Sequence, residues 1–394
     1  MYFHLFINLK GRLFRQKRKF LFQIWISLLI GFCHFQLPAQ NLENLGQQKP
    51  LRLTGNFQLQ SQFYRVQGID PRQQPVYWAV SGSPTLHLYG VQIPLYLLLS
   101  NQQQQFQQPF NQIGIAPYYK WAKVYLGYNQ VRFSPYTLAG RRFLGVGTEL
   151  NPGVLRLGFV YGRFQKAIAE SPFTPLPSQP FISSIPIPAY DRRGFAAKFG
   201  VGKTKNYFDL SMLYAQDDPA SIELDSINPQ KNLALGLGFQ ISFTPWLKWK
   251  TEGGISALTR DITADSVEIP QIPVINKISE WFFPQLSTPV RSAVESSLSL
   301  EKKVFGLRLG YKHIDKDYKS MGAYYFLTDV EEWTLAPQLN LLKNRLRLSG
   351  TAGFQRDNLN RTKANTTRRL IGSGQLSYQP GARFGLNVQY AIYG

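Results

Sequence analysis

Cysteine is all but absent from this chain of 394 residues; Cys33 is the only one. A fold stapled by disulfides is therefore excluded. Acids are scarce as well, 23 Asp and Glu against 44 Lys and Arg, for a formal net charge of +21. Charged residues make up 17% of the chain, below the roughly 25% of ordinary soluble domains. No uncharged apolar run of about 18 residues recurs, which excludes a bundle of membrane-spanning helices. The sequence has no Gly-x-Ser-x-Gly elbow, no phosphate-cradling loop and no His-x-x-x-His spacing, so motif-borne hydrolase, nucleotide and His/Cys metal chemistry are all unsupported. Aromatics, by contrast, are plentiful, with 28 Phe, 21 Tyr and 7 Trp, and this excludes a disordered chain.

The first forty residues differ from the rest. Lys10, Arg12, Arg15, Lys17, Arg18 and Lys19 precede a mostly apolar run from Phe20 to Phe32, and Ala39 is a small residue suited to peptidase cleavage. A basic segment, a short apolar segment and a small residue at the cut predict a secretory signal peptide over 1–39. An uncleaved anchor over Phe20–Leu37 is the weaker reading, because Gln23, His34 and Gln36 interrupt it. Cys33 follows the bulky Phe32, which argues against a lipid acceptor. Residues 40–50 read as a short periplasmic lead-in, and 51–394 as one domain.

That domain alternates. Leu51, Leu53, Phe57, Leu59 and Phe63 share one parity, and Arg52, Thr54, Asn56, Gln58 and Gln60 the other. The pattern recurs at Leu233, Leu235, Leu237, Phe239, Ile241 and Phe243, at Phe305, Leu307, Leu309 and Tyr311, and at Leu386, Val388, Tyr390 and Ile392. Period two means strands with one apolar and one polar face. About sixteen strands are expected, at 51–66, 83–99, 112–121, 122–133, 141–150, 153–167, 193–203, 206–216, 231–243, 247–258, 291–302, 304–313, 332–342, 345–356, 367–379 and 382–393.

Tight turns at Asn151-Pro152-Gly153, Lys203–Lys205, Thr244–Trp246, Leu342–Asn344 and Pro380-Gly381 separate longer links at 168–192, 217–230, 259–290, 314–331 and 357–366. Short on one side and long on the other is the pattern of a transmembrane barrel. In lipid every backbone polar group needs an internal partner, and a closed antiparallel sheet supplies one. The predicted fold class is therefore all-β, an up-and-down transmembrane antiparallel β-barrel. Soluble sandwiches also alternate, but with strands of about five or six residues. Tyr118, Tyr119, Trp121, Trp246, Trp249 and Trp333 near strand ends suit interfacial girdles.

Several segments are familiar together: 110–121 (Phe-Asn-Gln-Ile-Gly-Ile-Ala-Pro-Tyr-Tyr-Lys-Trp), Phe133-Ser134-Pro135-Tyr136-Thr137-Leu138-Ala139-Gly140, Glu149-Leu150-Asn151-Pro152-Gly153, Tyr161-Gly162-Arg163-Phe164, Gly322-Ala323-Tyr324-Tyr325-Phe326 and Gln355-Arg356-Asp357-Asn358-Leu359. With them the chain resembles large outer-membrane β-barrel proteins of the Bacteroidetes type. The resemblance runs over nearly all of the domain and implies an outer-membrane barrel of unassigned function, with no catalytic residues to carry over. Members of that family run longer. Strand parity points the same way: the last strand leaves a tight turn and ends on the opposite side, and counting from the N-terminus fails at residue 111, so that 51–66 or 83–99 is non-spanning or splits. A truncated chain is the expectation.

Chemistry beyond the wall is sparse. His87 and His313 read as interfacial or loop residues rather than catalytic bases, so no enzyme activity and no cofactor are expected. Asp217, Asp218, Glu223 and Asp225, and Asp315, Asp317, Asp329, Glu331 and Glu332, form acidic groups without the spacing of a calcium loop, and read as solvated charge. Arg192, Arg193, Arg361, Lys363, Arg368 and Arg369 suit the phosphates of outer-membrane lipid and lipopolysaccharide. The polar parity turns Arg52, Arg156, Lys248, Lys250, Arg308, Lys312, Arg345 and Arg347 inward, against Asp209, Glu252, Glu295 and Glu301. A mildly basic lumen of this kind favours anions, unless the charges pair off across the bore. No nucleic-acid footprint is present, because the bases are spread over alternating strands. The expected function is a passive porin-like channel assembled by the barrel-assembly machinery. The alternative is a docking barrel whose long loops bind a surface or periplasmic protein or plug the pore.

Overall fold

The computed structural model describes residues 51–68, 75–101, 111–170, 187–223, 227–265, 285–324, 327–381 and 384–393. The signal peptide over 1–39 and the lead-in over 40–50 lie outside the described residues, as do 171–186 and 266–284 of the two longest links.

The first ten strands are β1 (Leu51–Thr54), β2 (Phe57–Phe63), β3 (Val76–Gly82), β4 (Thr85–Leu88), β5 (Val91–Ser100), β6 (Gln112–Ile115), β7 (Tyr118–Tyr119), β8 (Ala122–Arg132), β9 (Ala139–Leu150) and β10 (Leu155–Gln165). The second ten are β11 (Asp191–Gly202), β12 (Tyr207–Asp218), β13 (Lys231–Thr244), β14 (Leu247–Thr259), β15 (Val290–Glu301), β16 (Phe305–Ile314), β17 (Val330–Leu341), β18 (Leu346–Arg356), β19 (Arg368–Gly381) and β20 (Phe384–Tyr393). All twenty belong to one sheet, and each pairs antiparallel with its neighbours. Among the described residues no helix is long and apolar enough to cross a membrane.

Three pairs of short strands are single lines with a break. β1 lies on β4 and β2 on β3, while β3 and β4 both lie on β5. β6 and β7 both bridge β5 to β8. The break in the first line falls at Gly55, whose φ of 130° is a conformation other residues avoid. Twenty segments with three such breaks make seventeen lines, running as a meander in chain order. Among the described residues no pairing joins β20 to β1 or β2.

The strand expected over 83–99 is in fact two. Tyr89 and Gly90 both have positive φ, 45° and 84°, and form a two-residue hairpin turn between β4 and β5. That left-handed pair matches the right-handed twist of the flanking strands. The split repairs the parity that failed at residue 111. Turns at 89–90, 120–121, 151–154, 203–206, 245–246, 302–304 and 342–345 now fall at one end of the sheet. The strand ends that flank 64–75, 101–111, 133–138, 166–190, 219–230, 260–289, 315–329 and 357–367 fall at the other.

Register assigns the faces. Asp209, Ser211, Leu213 and Ala215 of β12 stand beside Gly238, Gly236, Ala234 and Asn232 of β13, and these beside Glu252, Gly254, Ser256 and Leu258 of β14. The opposite face carries Phe208, Leu210, Leu237, Ile241, Phe243 and Ile255, all exposed. The first face is concave. The ring of Phe133 lies where a Cβ on Gly158 of β10 would sit, and Tyr136 meets Gly254 of β14. One six-residue loop thus touches both β10 and β14, which stand about 19 Å apart along a flat sheet. The wall therefore curls around this loop.

One close approach tests the register at the broken line. Gly114 stands opposite Gly127, and a methyl group on Gly114 would overlap the carbonyl oxygen of Tyr128. Gly114→Ala is expected to destabilise the wall by about 1–3 kcal/mol, the usual cost of overpacking. A denaturant midpoint equal to wild type would overturn the β6–β8 pairing.

Candidate functional site

Two connections fold back onto the concave face. The first, Phe133–Leu138 between β8 and β9, closes on itself through Phe133 N–H and Ser134 N–H to Leu138 O (2.8 and 3.4 Å). The second, 315–329 between β16 and β17, turns over Tyr318–Gly322 and meets the first. Tyr318 donates its hydroxyl to Tyr136 O (2.7 Å), and the two rings stand edge to face at 5.9 Å. Ser320 donates to Thr137 O (2.6 Å), and Ala139 N–H to Gly322 O (2.9 Å).

The wall holds both loops. Thr137 donates to Ser211 Oγ (3.0 Å). Asn232 accepts Met321 N–H (3.0 Å) and passes its own amide to Ser256 Oγ (2.7 Å). Ser256 in turn donates to Lys319 O (2.6 Å). Leu138, Phe143, Val160, Phe164, Leu213 and Met321 form the core between loops and wall. Fully burying one Leu or Met side chain contributes roughly 1.5–3 kcal/mol, so the seated arrangement is the stable one. Gly322 makes the fit possible: a Cβ there would stand 2.6 Å from Thr137 O and 3.0 Å from Leu138 Cα. Burial pushes the Tyr136 and Tyr318 phenols well above the usual tyrosine range, so both stay neutral donors.

On the short-turn side of the first loop lies a cavity of about 440 Å³. Arg132, Arg156, Lys198, Lys250 and Arg308 face Asp209, Glu252 and Glu295 there. Arg156 forks onto Asp209 at 2.8 Å through both nitrogens, lies 4.4 Å from the centre of the Tyr207 ring, and shares Asp209 with Lys198 at 3.6 Å. Lys250 reaches Glu252 at 3.6 Å.

Of the bases expected to face inward, Arg52, Arg156, Lys248, Lys250, Arg308, Lys312 and Arg347 share the concave face by register. Lys248 is paired with Glu301 at 2.7 Å. Arg345 sits in the turn at the end of β17, and Arg52 stands on β1 opposite His87. His87 bonds Thr54 Oγ1 (3.1 Å), and His313 lies 3.2 Å from Asp315.

Asp218 and Glu223 are exposed as expected, but other members of the acidic groups are held by bases. Asp217 is forked by a buried Arg192 at 2.7 and 3.0 Å and accepts Gln230 N–H (3.0 Å). Arg192 is thus a buried wall residue and not a lipid-facing one. Arg193 lies exposed beside Asp191 at 2.9 Å. Glu331 pairs with Arg356, and Asp329 and Asp357 both hold Lys363. Asp225 lies outside the described residues.

Two features escaped the sequence reading. Lys198 alternates with Gly194, Ala196 and Gly200, a signal no weaker than that of Lys250. The inserted loops are marked where alternation lapses: Leu210 to Ala215 is apolar on both parities except at Ser211, and Phe159-Val160-Tyr161 likewise. A wall strand needs apolar residues on its inner face only where something covers that face.

No protein-family model matches the sequence, and no curated protein does. Solved structures with a similar course include Pseudomonas aeruginosa OccK2 (OpdF) in complex with glucuronate, 13% identical over 87% of this chain and 90% of that one, TM-score 0.42. Pseudomonas aeruginosa OpdQ is 13% identical over 87% and 92%, TM-score 0.43. The outer membrane protein OprD from Pseudomonas aeruginosa is 10% identical over 87% of each chain, TM-score 0.40.

Two outcomes follow for the seated loops. Leu138 is fully buried. In a Cys33→Ser background, Leu138→Cys is expected to resist maleimide, and adding Gly322→Val is expected to make it react; equal reactivity in both would refute the clasp. The second concerns acid. Burial opposes ionisation of Asp315, but the Ser292 N–H and hydroxyl and His313 outweigh it, and its carboxyl titrates below the usual 3.8. Asp329 behaves alike, burial being outweighed by Lys363 and the Leu359 N–H. Depressed values stabilise the loop above 3.8 and lose that contribution as pH falls through them. Pepsin should therefore cut within 315–329 faster at pH ~2 than at pH ~4, relative to an unfolded control; an unchanged ratio would exclude these anchors.

Proposed function

We propose that the chain is an outer-membrane β-barrel protein acting as a passive, porin-like channel with a basic inner face. The observation that carries this reading is the division between the two faces of one sheet. From β8 to β20 the convex face exposes Val124, Val146, Phe199, Leu210, Leu237, Ile255, Leu298, Leu309, Leu335 and Val388. An apolar surface of that extent is unstable in water and suits acyl chains. Trp246 and Trp249 stand near the short-turn end of this band and Trp333 near the other, and all three are partly exposed. Aromatic rings at both margins fit the two lipid interfaces.

The concave face has the opposite character. It carries the charged cavity beside β10–β16 and, along β15–β20, a wall of Ser299, Gln338, Ser349, Thr351, Ser373 and Gln375. Such a surface stays hydrated and lets a polar solute pass without binding tightly. Among the described residues the two seated loops narrow the path on the β9–β14 side. The resemblance to Bacteroidetes-type barrels supports the same setting. No catalytic role is proposed.

Planar-bilayer recording of the refolded chain is expected to show stepwise current that prefers anions. Arg308→Gln and Arg347→Gln should each shift the reversal potential in a salt gradient toward cation preference. A folded, heat-modifiable protein that carries no current would overturn the channel. Unchanged selectivity in both variants would overturn the basic inner face while leaving the channel intact.

A further inference from the structure

The side of the clasp turned toward the long connections has its own cavity, of about 450 Å³. Four cations line it: Arg141, Arg192, Arg260 and Lys319. Two carboxylates answer them. Arg192 is occupied by Asp217, and Arg260 lies 3.6 Å from Asp317. Arg141 gives its hydrogen bonds to neutral oxygens alone, Phe164 O (3.4 Å), Ala323 O (3.4 Å) and Gln165 Oε1 (3.2 Å). Among the described residues no carboxylate lies within 4.0 Å of Arg141 or Lys319. Among the described residues the cavity therefore holds two positive charges more than its carboxylates neutralise.

Lys319 is the telling member. Its backbone carbonyl is fixed by Ser256, so the residue's place in the clasp does not depend on its side chain. The residue is exposed overall, and it lines the cavity beside three guanidinium groups. Desolvation at the lining, then Arg192 and Arg141, push its ammonium below the usual lysine range, with Asp217 pulling the other way. Cations gathered around one space repel one another unless an anion joins them. Guanidinium and ammonium donors around one space suit carboxylate or phosphate oxygens. The volume lies in the range of small-molecule pockets, above the needs of an inorganic ion. Arg192 and Leu258 place its strand lining on the concave face, away from the exposed apolar band.

We propose that this outer cavity is a binding site for a small organic dianion, a phosphate monoester or a dicarboxylate, held by Lys319 and Arg141. The site deepens the channel reading by naming a solute class, and rests on that reading only for its role at the entrance of the path. Binding can be measured without current, so the two fail separately.

The test is calorimetry on the refolded full chain in detergent, with glucose 6-phosphate, succinate and glucose as probes. One or both dianions should give saturable heat, and glucose none. Lys319→Met should weaken the dianion at least about tenfold, Lys319→Arg should stay within about threefold of wild type, and Lys343→Met in a distant turn should change nothing. A single binding dianion fixes the class as phosphate or dicarboxylate. The site is overturned if glucose binds equally, if Lys319→Met binds like wild type, or if folded, heat-modifiable protein gives no saturable heat with either dianion.

Discussion

A strand in a single-layer sheet pairs its backbone with two neighbours and leaves its side chains only two directions. Each residue of β8–β20 must therefore serve one face or the other, and register makes the choice common to all strands. Apolar residues gather on the convex face because Leu210, Leu237, Ile255, Leu298 and Leu309 fall on one row of phases. Charge gathers on the concave face for the same reason. A one-residue slip in any ladder would reverse both. The tight turns guard against it, Tyr89-Gly90 and the Leu342–Asn344 run above all, whose positive φ values fix where each hairpin folds.

The clasp is where this two-faced rule is relaxed. Val160, Leu213, Ala234 and Leu258 point inward and are apolar, against the pattern of their strands. They do so because Leu138 and Met321 lie over them. One of the segments that carry the family resemblance, Phe133–Gly140, meets Tyr318–Gly322 here, and Gly322 opens another of them, although some 182 residues separate Tyr136 from Tyr318. They share no local pattern. What joins them is backbone carbonyls on one loop and hydroxyls on the other.

The sequence therefore disclosed the architecture more fully than the site. Period two from Leu233 to Phe243 is visible without a structure, and so is the alternation of short and long links. The hairpin at Tyr89-Gly90 was hidden because Tyr-Gly is not the usual Asn-Gly turn. Its trace was the change of phase from Leu86 and Leu88 to Val91, Ile93 and Leu95. Arg192 was misplaced for a related reason: Arg192-Arg193 reads as one basic pair, but adjacent residues on a strand face opposite ways, one to Asp217 inside and one to Asp191 outside. Lys319 and Arg141 come from connections and strand ends, where no periodicity says which way a side chain turns.

The concave face is not uniform around its arc. Between β10 and β16 it carries Arg156, Lys198, Asp209, Lys250, Glu252, Glu295 and Arg308; at the same depth β17–β20 offer Thr334, Gln338, Ser349, Thr351, Gln375 and Gln389. Fixed charge on one arc and neutral hydroxyls and amides on the next make a field that runs around the wall and not along its strands. In the channel proposed above, a solute with an uneven charge distribution would be turned broadside by it before it advanced. Orientation, and not only net charge, would then set its rate of passage.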